Sequence, residues 1–412
     1  MNFPISAVRA QFPALAVTDS ERARIYFDAP GGTQACRGAI EAMAAHLTGG
    51  TANSGGAFAS SVAADAFSAD AHQAMADLLG GEADEIAFGP NMTSLTLAVS
   101  RAIARDWREG DEVILTRLDH DANVAPWLLA AEDRGVVVRW LPFDSADGTL
   151  RLDELPALLS PRTRLVAIGG ASNALGTLND VAAIARTVKA TTDALVYVDG
   201  VQSVPHVAVD VRALGCDFLA CSPYKFFGPH AGVVWGRREV LERLRAYKLR
   251  PSGNAGARRF ETGTPSFEAQ AGVLATVAYL DWLGGELAPG TRTRRERLVA
   301  AMNGCAAYER ELGERLLAGL RRFNSVRLYG RPDLDDRVPT FAFTVEGHAP
   351  GEVARFLAER GIFAWSGHFY AVETIAALGL KEAGGLVRVG LCHYNTVEEV
   401  DRLLDALAEL AA

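Results

Sequence analysis

The chain has 412 residues, 49% hydrophobic and 22% charged, an ordinary globular composition long enough for two domains or one large domain with an appendage. A net charge of -9, with no long basic run and no Arg/Lys stripe interleaved with aromatics, argues against a nucleic-acid partner. Five scattered cysteines without a CxxC pair, no apolar signal core and no bilayer-length apolar stretch lead to the expectation of a cytoplasmic protein with no membrane partner.

From about residue 80, short apolar runs alternate with amphipathic stretches. The runs are Glu85–Phe88, Glu112–Leu115, Val136–Trp140, Leu165–Ile168, Leu195–Val198, Phe218–Cys221 and Val233–Trp235. Ser94–Arg105 and Val181–Ala190 carry helical periodicity between them. This rhythm predicts βαβ units, hence an α/β fold with a mostly parallel sheet whose ligand site lies beyond the strand carboxyl ends. After about residue 285 the pattern changes. A long charged helix over Thr291–Phe323 precedes runs at Val326–Tyr329 and Thr340–Val345, a helix over Glu352–Arg360, and runs around Ile362–Trp365 and Leu386–Leu391. A last helix opens on the capping-box pattern Thr396-Val397-Glu398-Glu399. The expectation is a large domain over 1–284, whose N-terminal segment can pack on the other, and a smaller α+β domain over 285–412.

Five places in this frame can carry chemistry. Gly89-Pro90-Asn91-Met92-Thr93-Ser94 leaves a strand and opens a helix, which makes either a plain N-cap or a phosphate site built from backbone N–H groups and the Thr93 hydroxyl. Asp119-His120-Asp121 follows another strand; it reads as a polar loop, as metal ligands, or as an imidazole set to stack on a cofactor ring. No second ligand-like cluster accompanies it, so no metal is expected. Ser172-Asn173-Ala174 offers a turn or an amide donor. Arg259–Pro265 brings hydroxyls beside a glycine, as suits a turn, a phosphate or a subunit contact. Arg388 is a charge inside an apolar strand, so it needs a partner: a structural carboxylate, or a substrate carboxylate held by a bidentate fork.

The most informative pair is Lys225 with Asp199. Lys225 lies in the aromatic, Pro/Gly-punctuated turn Ser222-Pro223-Tyr224-Lys225-Phe226-Phe227-Gly228-Pro229, where desolvation lowers an amine's pKa and frees it for a Schiff base. Asp199 ends a buried strand, where a carboxylate can hold a protonated pyridine nitrogen. Together they point to pyridoxal 5'-phosphate. Neither a GxGxxG strand–helix opening nor a GxxxxGK[ST] loop is present.

With these motifs in this order, the chain resembles the class V branch of fold type I pyridoxal-phosphate enzymes, in particular the cysteine desulfurase and selenocysteine lyase-like group, from Tyr26-Phe27-Asp28 to Tyr394-Asn395-Thr396. The resemblance implies a seven-stranded sheet in the large domain and a homodimer with an active site shared across its interface. It implies Lys225 as the Schiff-base lysine, Asp199 as the pyridinium partner and His120 as the ring-stacking imidazole. Gln202 and Asn173 match groups near the phenolate and the substrate. Met92 through its backbone, Thr93, Ser222 and Tyr224 match the phosphate cradle, Tyr224 standing where many relatives have histidine. Thr264 matches a residue given to the partner's phosphate, and Arg388 the arginine for a substrate α-carboxylate.

The group's catalytic loop cysteine follows a Gly-His pair, and here that loop reads Ser366-Gly367-His368-Phe369-Tyr370-Ala371, with Tyr370 at the cysteine position and Trp365 where relatives often have arginine. Tyrosine cannot accept sulfur as a persulfide. Trp365, Phe369 and Tyr370 are read as an aromatic substrate pocket or as core. Cys392 is read as a small core hydrophobe, with reach to the substrate as the other reading. The expected activity on an amino acid is C–S lyase-type β-elimination, with transamination and epimerisation (as in isopenicillin N epimerase-like relatives) as alternatives. A metal-dependent hydrolase and a non-catalytic protein of this fold are the readings from other classes.

Overall fold

The structure, a computed structural model, describes residues 3–411. Each of the seven runs in the first part of the chain becomes a strand of one sheet: β1 (Ile86–Gly89), β2 (Glu112–Thr116), β3 (Val137–Leu141), β4 (Thr163–Gly169), β5 (Leu195–Asp199), β6 (Phe218–Cys221) and β7 (Gly232–Gly236). Their order is β1-β7-β6-β5-β4-β2-β3. Strands β2 to β6 pair in parallel, and β7 runs antiparallel to both β1 and β6.

The strands read as continuous apolar runs because both faces are covered. Alternate residues feed two different cores. Ile114, Val166, Val196, Val198 and Leu219 face one, while Val113, Leu115, Leu165, Tyr197 and Ala220 face the other. Register then sets the site: Gly169 pairs with Asp199 and Asp199 with Ala220, so three strands end in one row. The helix between β1 and β2 spans Met92–Ile103. It starts two residues before the predicted position because the Asn91 side chain caps it, accepting from Ser94 N at 2.8 Å.

The later part of the chain forms an antiparallel sheet of β8 (Val326–Tyr329), β9 (Thr340–Val345), β10 (Trp365–Gly367) and β11 (Leu386–Gly390), in the order β8-β9-β11-β10. The long charged helix spans Arg294–Leu320, started by a reciprocal Thr293–Glu296 capping box. The final helix, Val397–Ala411, lays Val400, Leu403 and Leu407 on Phe341, Phe343, Val387 and Val389. Its own box closes, with Glu399 N on Thr396 Oγ1 and Thr396 N on Glu399 Oε2.

One run is divided. Within Ile362–Trp365, Ile362–Phe363 pairs in parallel with Ile25–Tyr26, whereas Trp365 turns away to pair with Arg388 in β11. A single apolar run thus serves two sheets, and Asp28, just past the first of these pairings, is bridged to Gly390.

Candidate active site

The segment Ala29–Cys36 and the turn after β6 hold each other through backbone pairs. Thr33 N and its hydroxyl donate to Tyr224 O, Phe227 N donates to Thr33 Oγ1, and Cys36 N donates to Phe227 O. Phe227 takes a left-handed φ of 76° inside this clamp. The clamp aims Lys225, only 9% exposed, into the space beyond the sheet, where Nζ donates to Pro30 O.

A cleft of about 830 Å³ opens there, lined by Lys225, His120, Asn173, Arg388, Trp365 and Tyr370 among others. At its floor a smaller cavity of about 70 Å³ reaches Met92, Thr93, Asp199, Gln202 and Ser222. Residues from the ends of β4, β5 and β11, from the turns after β2, β4 and β6, and from the Met92 helix therefore converge although they are far apart in sequence. Thr264 is not among them: it lines a separate cavity of about 460 Å³ with Pro90, Ser94, His230 and Gln270. Cys392 is fully buried in the core, as are the other four cysteines, and no thiol lines the cleft among the described residues.

Burial is the main electrostatic force in the cleft. It lowers Lys225 to about 7, helped by the Arg388 charge and opposed by Asp199 and Asp28. It raises Asp199 to about 6, against a hydrogen bond from Val201 N (2.9 Å) and the attraction of Lys225. His120 is pushed down to about 4 by burial and by the Lys225 and Arg388 charges. Its Nδ1 accepts from Ala122 N at 3.0 Å, so the neutral ring carries its proton on Nε2. The exposed Tyr370 ring lies 5.6 Å from the His120 ring, tilted 30°.

Arg388 is 4% exposed, donates through Nη1 to Asn173 O at 2.8 Å and lies 4.2 Å from the centre of the Phe369 ring. No carboxylate among the described residues pairs with it, its Nε has no partner, and burial brings it down to about 9. Asn173 and Gln202 each have one amide N–H committed, to Phe369 O (2.8 Å) and Thr340 Oγ1 (3.0 Å), leaving one for anything that enters. The loop bearing Phe369 and Tyr370 is pinned at both: Asn173 holds Phe369 O and Asp121 N holds Tyr370 O at 2.7 Å. Both aromatics adopt left-handed φ values of 54° and 55°, a strain that these anchors sustain.

One carboxylate escaped the sequence reading of the site and another takes a role that reading did not give it. Asp28 sits behind Arg388 and Lys225, raised to about 6 mainly by burial, with an Oδ1 that has no partner. Its only signal in the sequence was an acid between an apolar pair and a Pro-Gly-Gly turn. Asp119 turns inward, accepting from Thr116 Oγ1, Asn123 Nδ2 and Gly169 N, so it ties the His120 loop to the end of β4. That inward turn removes it from the metal set that Asp119-His120-Asp121 offered. Among the described residues no group of three or more His, Cys, Asp or Glu side chains is arranged to hold a metal ion.

The donor set fits pyridoxal phosphate. A buried amine for the aldehyde, a buried carboxylate for the ring nitrogen, and a helix N-terminus with Thr93, Ser222 and Tyr224 for the phosphate all border the two connected spaces. The unpaired charge of Lys225 also predicts a stability cost. Lys225→Met in the cofactor-free protein is expected to raise stability most at and below pH 7. The gain should shrink as pH rises towards 10.5, since the folded value near 7 lies below the ordinary 10.5 and the unfolded chain binds the extra proton between them. The upper limit is about 5 kcal/mol at ~1.4 kcal/mol per pH unit between about 7 and 10.5, with the attraction of Asp199 and Asp28 already included. Thermal melts of both proteins at pH 6 and pH 10 check it; an equal gap at the two values would refute the linkage.

The class V aminotransferase family profile matches residues 25–403. The chain is similar to the aminotransferase-like protein FGM3 of Gibberella zeae, 34% identical with 98% of each chain covered. It is also similar to a cysteine desulfurase of Pectobacterium carotovorum subsp. carotovorum, 33% identical over all of this chain and 98% of that one. Among solved structures, an apo cysteine desulfurase from Thermococcus onnurineus NA1 superposes with a TM-score of 0.87 at 27% identity, covering 100% of this chain and 98% of that one.

Proposed function

This chain belongs to the class V aminotransferase family of pyridoxal-phosphate-dependent enzymes, and we propose that it is a C–S lyase that eliminates a sulfur substituent from Cβ of an amino acid. The observation that carries the reading is the make-up of the cleft: Lys225, His120, Asn173 and Arg388 meet there, and no thiol does. A persulfide relay needs a cysteine within reach of the substrate; elimination needs only a base and a leaving group.

Bound pyridoxal phosphate supplies an aldehyde that condenses with amines and a protonated ring that withdraws electrons from the substrate Cα. The protein's residues do the rest. Arg388 takes the α-carboxylate in its fork, beside the Asn173 carbonyl. Lys225, brought down to about 7 so that a large share of it is uncharged at neutral pH, removes the Cα proton at Nζ and holds it. Asp199 keeps its negative charge against the ring nitrogen, a role that burial alone would oppose and a cationic partner restores. His120, uncharged, would stack on the ring when it is bound and can donate from Nε2. Met92 N, Thr93, Ser222 and Tyr224 hold the phosphate, with Thr264 contributed across a homodimer interface. Trp365, Phe369 and Tyr370 favour a substrate with a bulky Cβ substituent over free cysteine.

The test is product analysis. With S-substituted cysteines and cystine the enzyme is expected to release pyruvate and ammonia in equal amounts, together with the thiol or persulfide. Pyridoxamine phosphate without ammonia would replace the reading with transamination. Sulfide from free cysteine through a protein persulfide would restore the desulfurase chemistry, and the Cys392 variant would show whether that buried thiol had served.

A further inference from the structure

Asp121 is the only carboxylate lining the cleft among the described residues, and no part of the proposed reaction falls to it. It lies half-buried in the turn after β2, next to His120. Its backbone is occupied: Asp121 N donates to Tyr370 O at 2.7 Å, and Asp121 O accepts from Val124 N at 3.0 Å. Its side chain is not. The short helical turn that starts here is capped by His120, whose Nδ1 accepts from Ala122 N, so the Asp121 carboxylate has no capping duty. Arg117, four residues before it, is paired with Glu373, and Asp121 enters no ion pair among the described residues.

Two large aromatic side chains share this outer part of the cleft. Trp365 is 53% exposed and Tyr370 65%, far more than rings that serve as core. Neither is loose. A Cβ placed on Gly31 would clash with Trp365 Nε1, so the edge of the indole lies directly on the Gly31 backbone. Tyr370 is held through its carbonyl by Asp121 and through its N–H by His368 Nδ1 at 3.0 Å. The carboxylate and the phenol ring thus spring from two peptide groups bonded to each other. Lys225 and His120 border both the cleft and the floor cavity, whereas Asp121, Trp365 and Tyr370 border the cleft alone. Phe369 stands apart from this group, because its ring lies on the Arg388 guanidinium.

We propose that the cleft selects amino acids whose Cβ substituent ends in a cationic nitrogen, an ammonium or a quaternary ammonium, received by Trp365 and Tyr370 with Asp121 as its counter-charge. The chemistry of this assignment rests on the C–S lyase reading; the binding rests on the cleft alone. Ring faces attract positive charge, and an acid beside them neutralises it. The same surroundings repel a second carboxylate or a phosphate at the far end of the substrate, which sets specificity by exclusion as well as by attraction. Partial contact with water keeps the cost of desolvating the cation low. The polarity of the cleft then matches a substrate charged at both ends: Arg388, 4% exposed, for the α-carboxylate, and the exposed aromatic pair for the cation. A volume of about 830 Å³ gives room for a substituent long enough to reach both.

Equilibrium binding to the holoenzyme tests this with lysine and 2-aminoheptanoate, which match in length, differ in the terminal ammonium and carry no leaving group at Cβ. Binding is read from the absorption band of the cofactor. Lysine is expected to bind roughly tenfold or more tighter, and Asp121→Asn to narrow that gap, with a thermal melt reporting that the variant keeps its fold. Turnover gives a second readout. The kcat/KM ratio of S-(2-aminoethyl)cysteine to S-propylcysteine should fall in Asp121→Asn, a comparison in which the different acidity of the two thiols cancels. 2-Aminoheptanoate binding the wild type as tightly as lysine, or a gap that Asp121→Asn leaves unchanged, overturns the proposal. The two readings fail separately. A lysine preference without pyruvate from either cysteine conjugate keeps the cation site and removes the lyase; pyruvate without a lysine preference does the reverse.

Discussion

Lys225→Ala is expected to abolish turnover, by ~10⁴-fold or more, and to remove the yellow colour of the protein loaded with pyridoxal phosphate. Two roles fall on one nitrogen. The amine is the attachment point for the aldehyde, and it is the base within reach of the cleft that burial brings near neutrality, to about 7. General-base catalysis alone is worth about 10²–10⁴ in rate, and loss of covalent attachment adds to it. The alternatives in the cleft are poor bases for the task. His120 at about 4 is too weak, and Asp199 is committed to the floor. Absorbance near the visible edge and single-turnover product release check the two roles separately. An alanine variant that keeps both the colour and more than a few per cent of the rate would refute the assignment of Lys225.

Arg388→Met is expected to raise KM for amino-acid substrates by ~10²-fold or more, the scale of a buried charge-assisted fork at 2–5 kcal/mol. The argument is geometric. Trp365 pairs with Arg388 in the sheet, Phe369 lies on its guanidinium, and Asn173 O takes only Nη1, so the fork is held in place while its charge stays unmatched. A substrate lacking the α-carboxylate, such as an S-substituted cysteamine, should react poorly and equally with both proteins. The variant should fold, since losing the Arg388 charge that holds Asp28 down lifts this carboxyl further above about 6 and lets it take up a proton. If the amine and the amino acid lose activity in equal proportion, Arg388 acts through the fold and not on the carboxylate.

How much of this was legible in the chain varies by element. All seven strands of the large sheet stood out because a sheet covered on both faces leaves uninterrupted apolar runs. Lys225, Asp199 and His120 stood out because they follow such runs directly, where parallel sheets place ligands. The division of Ile362–Trp365 between two sheets was not legible, because an apolar run carries no mark of its partner strand. Asp28 was missed for a related reason: its buried position near Arg388 and Lys225 follows from a pairing with Gly390, more than three hundred residues away. The position of Thr264, outside the cleft of its own chain, likewise depends on packing that no local pattern records.

By itself, then, the order of apolar runs determined the large sheet, since strand patterning is local, while Lys225, Asp199 and His120 were singled out by motifs that resemble a known family. Tertiary structure alone decided how those groups behave. Burial shifts Lys225 and Asp199 towards neutrality, and Phe369 and Asn173 orient Arg388. Desolvation and counter-charge depend on what surrounds a group in space, and the chain brings those surroundings together only when it folds.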